Sequence, residues 1–161
     1  MIAALSALYA RKRRTDNAAI EIHLKAIQNN PTLVDAYMAA TRAYALRDAD
    51  DHAIQMVKNL LTRCPGQVAE AISLLENIVE SRPKQLKVRW YLVDMLIFNG
   101  RLRAARRHVV DIQKIDCTQA EPSLAALDKI VEKNPKDAAA HLERGRILAA
   151  TGRDRDARMA L

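Results

Sequence analysis

Two prolines, Pro31 and Pro65, stand 34 residues apart and enclose a stretch that reads as two amphipathic helices. A proline has no amide to donate and pushes the residue before it out of the α region, so each one closes the helix it follows. The first enclosed helix carries Tyr37 and Tyr44 about two turns apart, and the second sets Ala53, Val57 and Leu60 on one face. Between them, Arg47-Asp48-Ala49-Asp50-Asp51 makes a tight turn in which Asp50 or Asp51 is expected to accept from the free amides of the next helix. Ala53 is small because two helices must approach closely there. Each helix of such a pair hides its apolar edge only against its neighbours in sequence.

The rest of the chain extends this pattern. Half of the 161 residues are hydrophobic but only 4% are aromatic, and four glycines and five prolines leave little material for hairpins. Good helix formers dominate, so the expected class is all-α. Residues 1–12 read as a helix with Ile2, Leu5, Leu8 and Tyr9 on a buried stripe, and Asp16 or Asn17 caps a second helix that ends at Asn29-Asn30-Pro31. After Pro65 the next proline, Pro83, comes only 18 residues on, with Leu75 and Ile78 as the apolar face of a second-type helix. A full-length pair follows, carrying Trp90, Leu92 and Leu96, then Asn99-Gly100-Arg101 at the turn, then Ala105, Val109 and Ile112. Cys117 takes the terminal proline's place, and Pro135 again follows after 18 residues, with Leu127 and Ile130 between. The last segment has His141, Gly145, Leu148, Gly152 and Ala157, and stops at Leu161 partway through a helix.

Two accounts fit the short steps. Either the chain is interrupted at Pro65–Gly66 and Cys117–Thr118, each break hiding about one helix, or it is continuous and packs ten short helices in alternation. The repeated deficit favours an interruption, which a Cα–Cα step far above the ~3.8 Å of a trans peptide would reveal.

The 34-residue spacing, with Tyr37, Tyr44, Ala53 and Pro65 in order, resembles the tetratricopeptide repeat (TPR) family. Two family positions differ, since Ala40 and Thr41 stand where a leucine-glycine pair is usual. The resemblance implies one α-solenoid over 1–161, a right-handed superhelix of antiparallel helix pairs. Its approximate repeats are 1–33, 34–67, a partial 68–85, 86–119, a partial 120–137 and a truncated 138–161. It also implies that first helices line a concave groove that receives a partner segment. Carried over by position, that groove presents Met38, Arg42, Lys87, Trp90, Asp94, Ile97, Leu142 and Arg146. Trp90 is either a binding anchor on the wall or a core residue standing in for Arg89, one position earlier; both readings are open. The family's clamp for a C-terminal carboxylate is not expected, because Ala4, Leu8, Met38 and Trp90 occupy inner positions.

The residues offer little catalytic chemistry. His23, His52, His108 and His141 have no second ligand at helical spacing, so no metal is expected. There is no glycine-rich phosphate loop, and Ser6, Ser73, Ser81 and Ser123 lie in helices without a nucleophile elbow. Glu70, Glu76 and Glu80 read as ordinary helix surface. No cofactor and no enzymatic activity are expected. Cys64 and Cys117 fall at equivalent places on different repeats and are expected as free thiols, which suits a reducing, cytoplasmic setting. The N-terminal apolar run is short and precedes its charges, unlike a signal peptide, and no stretch is long enough to span a membrane.

A net charge of +7 is consistent with an acidic partner, an anionic membrane surface or nucleic acid, although dispersed Lys and Arg mostly make a solvated face. Arg11-Lys12-Arg13-Arg14 reads either as a nuclear-localisation or nucleic-acid patch or, more plainly, as the close of a helix, where the dipole favours cations. The expected function is a protein-interaction scaffold for a protein or peptide segment, acidic where it meets Arg42 and Arg146. One alternative is a helical-repeat nucleic-acid binder, disfavoured by the few aromatics. The other is a structural solenoid that self-associates through uncapped apolar ends.

Overall fold

The structure is a computed structural model that describes residues 1–159. Ten α-helices and no strands occur among them. They are α1 (Ile2–Arg11), α2 (Asn17–Asn29), α3 (Val34–Ala45), α4 (Asp50–Arg63), α5 (Val68–Ser81), α6 (Leu86–Phe98), α7 (Leu102–Ile115), α8 (Ala120–Lys133), α9 (Ala138–Ala150) and α10 (Asp154–Met159). The chain is an all-α helical-repeat protein. It divides into two units, Met1–Val88 and Arg89–Leu161. The expected truncated helix end at Leu161 lies outside the described residues.

The helices end in two ways, and the difference is written in local sequence. α1, α3, α6 and α9 end in a turn with one residue at positive φ: Arg13 (51°), Asp48 (58°), Gly100 (73°) and Gly152 (75°). The following amide then reaches back five residues, from Arg14 to the Tyr9 carbonyl at 3.1 Å, Ala49 to Tyr44 at 3.0 Å, Arg101 to Leu96 at 2.9 Å and Arg153 to Leu148 at 2.9 Å. This left-handed closure satisfies carbonyls that the helix end leaves open. α2, α4, α5, α7 and α8 instead end on a residue at φ between −149° and −133°, namely Asn30, Cys64, Arg82, Asp116 and Asn134. Each of these offers its carbonyl to the amide three residues on, at 3.0–3.2 Å. Proline follows in four of the five cases, because its fixed φ suits the second position of such a turn; Cys117 holds that position in the fifth.

The order of endings defines the repeat. α3–α4–α5 and α6–α7–α8 run in the same sequence of one left-handed and two proline-type endings. Pro31, Pro83 and Pro135 are 52 residues apart, and the bounds of α4 and α7, and of α5 and α8, differ by the same 52. The 34- and 18-residue steps are therefore two parts of one three-helix module. The favoured interruption is corrected here. The backbone runs through Pro65–Gln67 and Cys117–Gln119 as 3-10 turns, with Gln67 donating to the Cys64 carbonyl and Gln119 to that of Asp116. What looked like a missing helix is a second proline-type helix following directly on another.

In the first unit α3 is the hub, packed against α1, α2, α4 and α5. Its Ala36, Ala40 and Ala43 are buried, and alanine lets neighbouring backbones approach. Tyr37 is also buried, and its hydroxyl donates to the Pro31 carbonyl at 3.3 Å. α5 ends like α4 but lies against α3 as α1 does, so its ending and its packing place belong to different helix types.

Two expectations about this unit need revision. Of the α1 stripe, Ile2, Leu5 and Tyr9 are only half-buried and Leu8 is exposed; the buried residue is Ser6, drawn in by its bond to His23. Asp16 caps α2 by accepting from Ala19, but neither Asp50 nor Asp51 caps α4, whose N-cap is Ala49. Asp51 is taken by Lys87 at 2.8 Å, and Asp50 lies in the first helical turn, where burial and then the Asp48 charge raise its pKa.

In the second unit α7, α8, α9 and α10 each pack on the next, and Leu92, Leu96, Val109, Ile112, Leu127 and Ile130 are fully buried.

Candidate partner-binding surfaces

In the first unit, α1, α3 and α5 enclose an open cavity of about 640 Å³. Helices that stack side by side leave a trough between their exposed ridges, and small residues deepen it. Ala10 of α1, Ala39 and Ala43 of α3, and Ile78 of α5 form its apolar lining. Arg11, Arg13, Arg14, Arg42 and Arg82 also line it, and no Asp or Glu does. Arg14 is held by Asp16 at 2.8 Å and lies 4.4 Å over the Tyr9 ring. Arg82 is held by Asp48 at 2.5 Å and by the Ala45 carbonyl at 3.0 Å. Arg11, Arg13 and Arg42 pair with no acid among the described residues.

His23 also lines this cavity. Its side chain is fully buried, and its Nδ1 lies 2.8 Å from the Ser6 hydroxyl. Which of the two donates follows the imidazole tautomer, and Nε2 is the ring's other nitrogen. That Nε2 has no partner among the described residues. Burial lowers the His23 pKa.

The eight residues placed on the groove wall by resemblance divide between the units. Arg42 is exposed and lines the cavity, whereas Met38, one turn earlier, is half-buried and does not. Lys87 is exposed and paired with Asp51. In the second unit Trp90 is half-buried, with its indole Nε1 donating to Gln119 at 3.3 Å. Asp94 is exposed and meets Lys129 at 3.4 Å, and exposed Arg146 meets Glu143 at 2.7 Å on its own helix. Leu142 is exposed, but Ile97 is buried. By the 52-residue register, Met38, Trp90 and Leu142 are equivalent, as are Arg42, Asp94 and Arg146. The carry-over therefore picked one helix face three times over.

Arg89 is itself interior, only 5% exposed, so Trp90 does not replace it in the core. Its Nη1 donates to His108 Nδ1 at 3.1 Å and lies 3.8 Å from Asp111. The equivalent Tyr37 and His141 instead reach the proline carbonyl six residues back, at 3.3 Å and 3.0 Å. Burial, together with the Arg89 and Arg107 charges, holds the His108 pKa down at about 4. Sequence reasoning missed both buried histidines. The one available signal was that each falls on the apolar face of its helix, beside Ala19 and Ala26 or beside Ala105 and Ile112.

The second unit has a smaller cavity, about 460 Å³, bounded by Leu124 and Leu148. Its lining charges are already matched, Arg144 with Asp128 at 2.7 Å and Arg153 with Glu121 at 3.3 Å. Among the described residues no three His, Cys, Asp or Glu side chains are grouped to hold a metal ion, and both cysteines are free thiols. No described helix is long and apolar enough to cross a membrane.

No protein-family model matches the chain. No curated protein matches it in sequence either. Solved structures do match. YrrB, described as a TPR protein with an unusual peptide-binding site, is 17% identical, with 86% of this chain and 88% of that one covered and a TM-score of 0.36. TTC0263, a thermophilic TPR protein in Thermus thermophilus, is 15% identical over 92% and 97%, with a TM-score of 0.35. MamA AMB-1 is 15% identical over 99% and 92%, at 0.36. Structurally similar proteins thus include TPR proteins. The fold assignment rests on the helix order and turn chemistry of the chain itself.

Proposed function

We propose that this chain is a protein-interaction scaffold that holds a partner segment against the open faces of its helices. The observation that carries this reading is the arginine-lined cavity between α1, α3 and α5, an apolar trough where Arg11, Arg13 and Arg42 have no acidic partner among the described residues. In the first unit the contact would centre on Arg42; Met38, one turn earlier, and Lys87, paired with Asp51, lie outside the cavity lining and would meet only a longer segment. In the second, Trp90, Asp94, Leu142 and Arg146 form the corresponding helix face; Ile97 is too buried to be touched. A half-buried indole gives a rigid anchor of large area, the kind of residue on which binding energy concentrates.

Selection of a random displayed-peptide library on the whole chain tests the reading. Peptides should be retained, and Trp90→Ala or Arg42→Ala should weaken them while circular dichroism stays unchanged. A library that yields no retained sequence refutes it. Loss of helicity in Trp90→Ala would make that residue structural and leave Arg42 to carry the test.

A further inference from the structure

We propose that the cavity between α1, α3 and α5 selects acidic partner segments, with Arg13 and Arg42 pairing to Asp or Glu carboxylates. This rests on the scaffold reading and adds the chemistry of the partner and one recognition residue, Arg13. Two observations converge on it. The lining carries five arginines and no acid, and only Arg14 and Arg82 are balanced by neighbouring carboxylates, Asp16 and Asp48. Three of those guanidinium groups have no acidic partner among the described residues.

The backbone at Arg13 adds to this. Its φ of 51° is a left-handed conformation that suits glycine better than an L residue with a side chain. The equivalent turns after α6 and α9 do use glycine, Gly100 and Gly152. At the end of α1 the chain carries an arginine instead, and that arginine lines the cavity. The equivalent Asp48 has an evident use, its pair with Arg82. Arg13 has no such use within the described residues. A carboxylate is the complement of a guanidinium fork. An extended segment supplies several carboxylates at once and lays its apolar side chains on Ala39, Ala43 and Ile78.

The test again uses displayed random peptides on the whole chain, followed by fluorescence anisotropy of the best retained sequence. Asp and Glu should be enriched in the retained set. Arg42→Glu should weaken binding by about tenfold or more, and binding should fall as salt rises. Arg13→Gly is the decisive variant, since it relieves the left-handed backbone and so should fold at least as well while binding several-fold more weakly, by about threefold to tenfold. Arg63→Glu on α4, the same charge change outside the cavity, should leave binding unaltered. Retained peptides without acidic bias, or equal losses in Arg63→Glu and Arg42→Glu, would overturn the proposal. Peptides that depend on Trp90 but not on Arg42 or Arg13 would sink it too, while the scaffold reading survived. Tripolyphosphate binding that is lost in Arg42→Glu, with no peptide retained, would assign the cavity to small polyanions and refute both.

Discussion

Acidification should weaken the second unit through one side chain, His108, and the size of the effect follows from its surroundings. The ring is 4% exposed and accepts from the Arg89 guanidinium, so it is bound as neutral imidazole. Protonating it in place would remove that acceptor and set two cations in contact away from water. Its folded pKa is accordingly about 4, against 6.5 for the free side chain. The folded value lies below the unfolded one, so the unfolded chain takes up the proton first. The stabilisation is therefore whole above pH ~6.5 and drains away as pH falls toward 4, at most about 1.4 kcal/mol per pH unit and roughly 3 kcal/mol in all. Trp90, the sole tryptophan, sits next to Arg89 and reports on this unit. Urea unfolding followed by its fluorescence, at steps from pH 7.5 to 4, should show that loss in the wild type. His108→Asn keeps an acceptor near Nδ1 but cannot titrate, and should lose about 3 kcal/mol less over the same range. Paired carboxylates and His23 contribute equally to both proteins and cancel in the difference. Parallel loss in the two would refute the reasoning.

Cys117→Pro should stabilise the chain by about 0.5–1 kcal/mol and raise Tm by a few degrees, because residue 117 opens a 3-10 turn whose own bond runs from Gln119 to Asp116. Asp116 is already extended (φ −149°), as a residue before proline must be, and differential scanning calorimetry reads the shift. Gly152→Ala and Gly100→Ala should each cost about 1–2 kcal/mol from backbone strain alone, since nothing lies within 4 Å of an added Cβ; equal stability in urea titrations would contradict this. Asp137→Ala should cost about 1–2 kcal/mol by chemical denaturation, because Asp137 caps α9 through the Ala140 amide and pairs with Arg106.

Helix existence, type and buried faces were legible in the sequence because they rest on local chemistry. Prolines mark the ends of α2, α4, α5 and α8, and apolar spacing finds Val57, Leu60, Leu92, Leu96, Leu127 and Ile130, all buried. The three-helix module was hidden by measuring against a 34-residue period, although the proline numbers contain the 52-residue one. Buried polar residues were not legible, because Ser6, His23, Arg89 and His108 are interior only by virtue of partners 17 to 19 positions away. The cap of α4 was misjudged for a related reason, Asp51 being claimed by distant Lys87. Arg42 was found because the helix face is periodic. Arg13 was not, because its importance comes from a turn conformation and from what lies across the cavity.

The identical spacing of Pro31, Pro83 and Pro135 also says how such a chain grows. Its repeating unit is a helix trio bounded by prolines, so lengthening or shortening it cleanly means inserting or excising 52 residues between two of them. A 34-residue edit would leave one proline-closed helix without its companion. Engineers wishing to graft a new recognition face could exchange Pro31–Arg82 for Pro83–Asn134 as cassettes, with both seams falling in the same kind of turn.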